Sequence, residues 1–250
     1  MTARIRSLSG AVLAILTIPL IVGLLACIPV PIGDPERSSI DNDISGVWLM
    51  IDEDEIPVLT LFEPYDKRTW LLTRYGFELV DSNECEITNV EPESRAGYLE
   101  ALRARGKDCI IGDETVSYKA WRKKLGDHWF MTWEPKGLID AKRGFEPAIW
   151  YGMRVEKTGA DSFTLRMINS DHEVFSEFAE SKSYVRLDEE GYPRNPKTLR
   201  SARRDFEGIL KKHGGNDEIY TNKDMPPMHH IRIEPDDYDL FIGNVVLESD

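Results

Sequence analysis

No Gly-x-Ser-x-Gly, Ser-x-x-Lys or His-Glu-x-x-His run occurs in these 250 residues, so the local signatures of serine hydrolases, Ser–Lys acylation and zinc proteases are missing. Positive charge is short as well. Lys and Arg number 31 against 44 Asp and Glu, a formal net charge of −13, which leaves no basic footprint for nucleic acid. Neither an internal repeat nor a low-complexity tract is present. The longest apolar run, Ala11 to Ala26, is 16 residues and is broken by Pro19 and Gly23, short of the roughly 20 that cross a bilayer. Cysteine is scarce, with only Cys27, Cys85 and Cys109.

What is there begins with the leader. Arg4 and Arg6 precede the apolar run, as the n-region precedes the h-region of an export signal. The run ends in Leu24-Leu25-Ala26-Cys27, which resembles a bacterial lipobox. That resemblance implies cleavage before Cys27, a diacylglycerol thioether on its sulfur and a fatty-acylated (palmitate-type) amino terminus. A plain secretory leader and a retained anchor are the alternatives. In the lipoprotein family aspartate after the lipid cysteine favours inner-membrane retention; Ile28 here implies the periplasmic face of the outer membrane in a Gram-negative host. Losing residues 1–26 removes Arg4 and Arg6 and no acid, taking the charge from −13 to −15. Anionic lipid repels such a body as a whole, so multiple acyl chains must hold it.

Export also suits the cysteines. With Cys27 lipidated, Cys85 and Cys109 form an even pair, and a bridge closes a 25-residue loop, worth about 3 kcal/mol in the chain-entropy model. Two free thiols are the alternative. Residues 27–43, with Pro29, Pro31, Gly33, Pro35, Ser38 and Ser39, read as a flexible lipidated tether. The main domain is expected over 44–215, with 216–250 as an extension packing on it.

Period-2 alternation with frequent turn signals predicts about eight antiparallel strands: Val47–Ile51, Ile56–Phe62, Thr69–Val80 with a bulge at Gly76, Thr115–Lys123, one through Trp129, Met131 and Trp133, one through Ile149 to Val155, one through Phe163 to Met167, and Tyr184–Leu187. Two short stretches, Ile231–Ile233 and Leu240–Leu247, offer further strands. A small helix, Pro92–Arg105, is expected inside the Cys-bounded insertion. A C-terminal amphipathic helix is expected over 196–213, capped by Asn195 and followed by Gly214, with Leu199, Phe206, Ile209 and Leu210 on one face and Lys197, Arg200, Arg204 and Lys211 on another.

The expected fold class is therefore mainly β with α: an antiparallel meander sheet or barrel with a C-terminal helix. Gly46-Val47-Trp48 on the first strand resembles the Gly-x-Trp of lipocalin and calycin barrels, which implies that the Trp48 indole plugs one barrel end. The β-rich body is also similar in pattern to uncharacterised bacterial lipoproteins, and that likeness implies no activity.

Candidate sites follow by chemistry. Trp121, Trp129, Trp133 and Trp150 sit on neighbouring predicted strands and, with Trp48, either line a ligand cavity or fill it. Arg200, Arg203, Arg204 and Lys211 offer a face to an acidic partner or lipid head groups, or else are a solvated helix face. Asp41, Asp43, Ser45 and Gly46, with Asp52 at the twelfth position, partly match a calcium loop. Met225, Met228, His229 and His230 combine soft and imidazole ligands that suit copper, although adjacent histidines on an extended chain point apart. Glu234, Asp236, Asp237 and Asp239 are near enough in sequence to consider a carboxylate acid/base pair. The leading reading is a membrane-anchored, non-catalytic binding or scaffolding lipoprotein without a cofactor, whose partner is an envelope protein or lipophilic small molecule. A small envelope enzyme acting on glycan or lipid, and a metal-handling protein, are the other readings.

Overall fold

The computed structural model describes residues 27–28, 30–51, 57–79, 97, 99–100, 103–104, 109–135, 150–175, 178, 196–220 and 226–242. Its strands are β1 (Cys27–Ile28), β2 (Gly46–Ile51), β3 (Pro57–Pro64), β4 (Trp70–Leu79), β5 (Ile110–Leu125), β6 (His128–Pro135), β7 (Trp150–Lys157), β8 (Ser162–Met167) and β9 (Met228–Arg232). Two α-helices carry full bounds, α1 (Pro196–His213) and α2 (Pro235–Ile242). Gly97, Leu99, Glu100, Arg103 and Ala104 are also helical, inside the window expected for the insertion.

Strands β2 to β8 run as an antiparallel meander, and β9 lies between β2 and β8, so that with β7 paired to β8 eight strands close into a barrel. Closure removes the open edges that β2 and β8 would otherwise present. The closing strand thus comes from the segment expected to be an extension, and the domain continues through α2. The strand expected at Tyr184–Leu187 lies outside the described residues. Part of the Leu240–Leu247 stretch is helical instead: Pro235 opens α2 and Asp236 and Asp237 occupy its first turn, where the helix dipole favours acids. The register between β4 and β5 shifts between Tyr75 and Phe77, at Gly76, as the sequence suggested.

Alternation places three apolar layers. Inside the barrel, Trp48, Phe62, Trp70, Met131, Met153 and Phe163 are packed together. Outside one flank, Phe130, Trp121 and Leu125 meet Ala202, Phe206 and Leu210 of α1. Outside the other, Leu49, Leu59 and Phe77 meet Phe241 of α2 and Leu99. Gly214 ends α1 by donating its N–H to the Leu210 carbonyl at 2.7 Å, and a Cβ there would lie 2.5 Å from that oxygen.

The segment after Cys27 is not a flexible tether. Cys27 and Ile28 pair with Tyr151 and Trp150 of β7, and Ile28, Val30 and Ile32 are buried under α1. The Ile32 N–H donates to Thr132 Oγ1 at 3.1 Å, and its carbonyl accepts from Trp121 Nε1 at 2.8 Å and Thr132 Oγ1 at 2.9 Å. Three buried aliphatic side chains, worth about 1.5–3 kcal/mol each, outweigh the flexibility that the prolines suggested. The strap then crosses β5, where Ser38 Oγ donates to the Arg122 carbonyl at 2.8 Å, and enters β2 at Gly46.

Candidate functional site

On β5, Trp121 and Leu125 turn outward beneath α1, so Lys123 between them shares that face and lies along the strap. Gly33 makes the close approach workable: its φ is +74°, and a Cβ there would sit 2.9 Å from Lys123 Cβ. Its N–H donates to Glu207 Oε1 of α1 at 2.8 Å, tying strap to helix. The next residue, Asp34, accepts from the Glu36 N–H at 3.1 Å and lies 3.6 Å from Arg203 and 3.9 Å from Arg37.

These contacts border an open cavity of about 280 Å³ between strap, β5 and α1, lined by Asp34, Arg37, Lys123, Arg200, Arg203, Arg204 and Glu207. Five cations face two carboxylates there, on a chain whose net charge is −13. The two acids are already in use, Glu207 by Gly33 and Asp34 by its turn and two arginines. The Nε of Arg203 is buried with no acceptor. Clustered like charges repel, and a buried donor without a partner is costly, so the arrangement leaves positive charge and a donor uncompensated.

Of the expected partner face, Arg200, Arg203 and Arg204 come together here, whereas Lys211 lies elsewhere, its Cγ 3.9 Å from where a Gly126 Cβ would be. Asp34, Arg37, Lys123 and Glu207 were not foreseen as members. Arg37 and Asp34 lie in a stretch whose composition reads as linker, and Lys123 reads as an ordinary strand residue.

The five tryptophans do not line one cavity. Trp48 and Trp133 face inward, while Trp121 and Trp150 belong to the layer under α1. Trp129 shares the face of Met131 and Trp133 and is covered by the Arg122 guanidinium at 4.2 Å. Strand alternation sends them to opposite sides of the wall. Trp48 is a buried core residue near the start of β2. Its Nε1 donates to the Ile44 carbonyl at 2.7 Å, Phe163 meets it edge-on at 4.6 Å, and the Arg232 guanidinium lies 4.3 Å above its ring. Arg232 in turn donates to the Ser45 and Asp43 carbonyls. Gly46 there has φ +122°, and a Cβ would lie 2.7 Å from Arg232 Nη1.

The calcium reading fails on partners already present. Asp41 is ion-paired with Arg122, and Asp43 accepts from Lys157 at 2.6 Å. The Lys157 hydrogen bond and charge hold the Asp43 carboxyl below its ordinary value of 3.8. Gly46 already belongs to β2, and Asp52 is outside the described residues. On β9, His229 is exposed and His230 is buried inside, stacked on Phe163 at 4.6 Å, so the two imidazoles point to opposite sides. Met225 is outside the described residues. Among the described residues no group of three or more His, Cys, Asp or Glu is placed to hold a metal. Asp237 is buried and bonded to Arg103 Nε at 2.8 Å, whereas Glu234 and Asp236 are exposed; the Asp239 side chain is not described. Cys109 is buried at the entrance to β5, and Cys85 lies outside the described residues.

A second polar feature lies inside the barrel. Thr60 and Arg74 are register partners on β3 and β4, on the faces that carry Phe62 and Leu72 inward. Thr60 Oγ1 and Arg74 Nε are buried with no hydrogen-bond partner, and the guanidinium lies 5.9 Å from the Trp133 ring. No family model matches this chain, and neither the curated proteins nor the solved structures contain a significant match.

Proposed function

We propose that this chain is a lipid-anchored protein of the bacterial cell envelope, non-catalytic, which binds an anionic partner in the cationic cavity between strap, β5 and α1. The observation that carries the reading is the convergence of Arg37, Lys123, Arg200, Arg203 and Arg204 on one cavity with a buried, unpartnered Arg203 Nε. The anchor rests on Leu24-Leu25-Ala26-Cys27, and Ile28 favours the outer membrane, facing the periplasm, in a Gram-negative host. A Cys85–Cys109 bridge belongs to the same reading, supported by the even pair that lipidation of Cys27 leaves.

The anchor is tested by mass spectrometry of the mature amino-terminal peptide in its own host. Cys27 is expected to carry the mass of a diacylglyceryl group and a further acyl chain, and Cys27→Ser should leave an uncleaved, unlipidated precursor. A mature terminus elsewhere, without lipid, would overturn the anchor and leave the cavity untouched.

Thr60 and Arg74 favour a second reading, a carrier of a small acidic lipophile whose head reaches these two groups inside the barrel. Native mass spectrometry of the protein from its host separates the two: a stoichiometric organic acid, absent from Arg74→Met, is expected of a carrier, and a clean apo mass rejects it.

A further inference from the structure

We infer that the cavity takes the glycerophosphate head group of an anionic phospholipid from the same membrane that holds Cys27. The inference rests on the anion-binding reading above and names its ligand.

Charge selects phosphate. Arginines present planar, multi-donor groups that match phosphate oxygens, and four of the five cations here are arginines. Volume selects a small group. About 280 Å³ is room for a head group. The two carboxylates select against a polyanion, because Asp34 and Glu207 would repel a second phosphate. Their remaining lone pairs accept hydroxyls, which a glycerol head group supplies beside its single phosphodiester.

Reach selects the membrane. Asp34 is seven residues from Cys27, so the rim lies within about 25 Å of the anchor even on a fully extended chain, and the strap is folded down. A body of net charge −15, as residues 27–250 carry, is repelled by anionic lipid in general, so contact with such lipid needs a local exception of opposite sign. The cavity is that exception. Its wall is the strap itself, held to α1 through Gly33 and Glu207, so an occupied cavity braces anchor against barrel.

The test uses the full mature protein in a neutral detergent and short-chain lipids below their micellar concentration, so that its outcome does not depend on lipidation at Cys27. Calorimetric titration with dihexanoyl phosphatidylglycerol should give saturable binding, with dihexanoyl phosphatidylcholine at least tenfold weaker. Arg203→Gln and Arg200→Gln should each weaken phosphatidylglycerol at least tenfold with unchanged circular dichroism. Arg200 is exposed, so its variant keeps the test open if Arg203→Gln unfolds. Equal binding of the two lipids, or binding unmoved in Arg200→Gln, overturns the inference. Inorganic phosphate or glycerol 3-phosphate binding as tightly as the lipid would reassign the site to a free anion. No phosphate probe binding while an acidic peptide does would assign it to a protein partner. Each of these outcomes leaves the Cys27 anchor to its own test.

Discussion

Arg154 on β7 shows what a single buried cation demands of its surroundings. It is 5% exposed, donates to the Gly214 carbonyl at 2.9 Å and to Asp217 at 2.6 Å, pairs with Glu156, and lies 4.3 Å over the Tyr220 ring. Burial raises the Tyr220 phenol well above its ordinary value, so it stays a neutral donor, to the Gly214 carbonyl at 2.9 Å. The Arg154 hydrogen bond and charge lower the Asp217 carboxyl below 3.8. A carboxyl with a lowered folded value stabilises the fold above about pH 4, and that contribution is lost as pH falls through the folded value. Asp217 is 71% exposed, so solvent screening keeps the effect under about 1 kcal/mol. Asp217→Asn should therefore melt lower than wild type at pH 7, with the difference closing between pH 4 and 2; a constant offset would rule the pair out as a titrating contact. Gly152 makes a steric rather than electrostatic demand. A Cβ there would lie 2.7 Å from Ile28 Cδ1 and 3.1 Å from Ile32 Cδ1. Gly152→Val should lower stability to urea by about 1–3 kcal/mol by lifting the strap.

At the scale of elements, α1 organises the outer flank. Phe206 is fully buried against Phe175 and Phe178, each 5.3 Å away, and Phe206→Ala should cost about 3–5 kcal/mol in urea unfolding. This helix was plain in the sequence, because Pro196, Gly214 and the 3.6-residue recurrence of Phe206, Ile209 and Leu210 agree with one another. The strands from Gly46 to Met167 were plain for the same reason at period two. The strap was obscured by its own composition: Ile28, Val30 and Ile32 alternate as a strand does, but Pro29, Pro31 and Gly33 imitate a linker. Strand β9 was only half legible. Its five residues include two histidines, and what makes it the closing strand is the pairing of β2 and β8 to its two edges, a non-local fact. The cavity was legible only on its helical side, since Arg200, Arg203 and Arg204 share one helix while Arg37 and Lys123 arrive from elements more than 70 residues away in sequence.

For the whole molecule, the strap changes what an anchor at Cys27 means. A loose tether of residues 28–43 would let an acidic body drift off the bilayer and would offer Arg37 to any protease. A packed strap holds residues 28–32, β5 and α1 as one unit, because Ile28, Val30 and Ile32 sit in the same apolar layer as Trp121, Phe206 and Leu210. Arg37 is 79% exposed, yet it lies in a 3₁₀ turn bounded by the Gly33–Glu207 and Ser38–Arg122 bonds. Cleavage there requires local opening of the strap, and the free energy of that opening sets the rate. Trypsin on isolated membranes should therefore release the body slowly, at a rate that rises severalfold in Gly152→Val, where the strap lifts while Arg37 itself is unchanged. Equal release from wild type and variant would mean that the strap opens freely and does not brace the cavity wall.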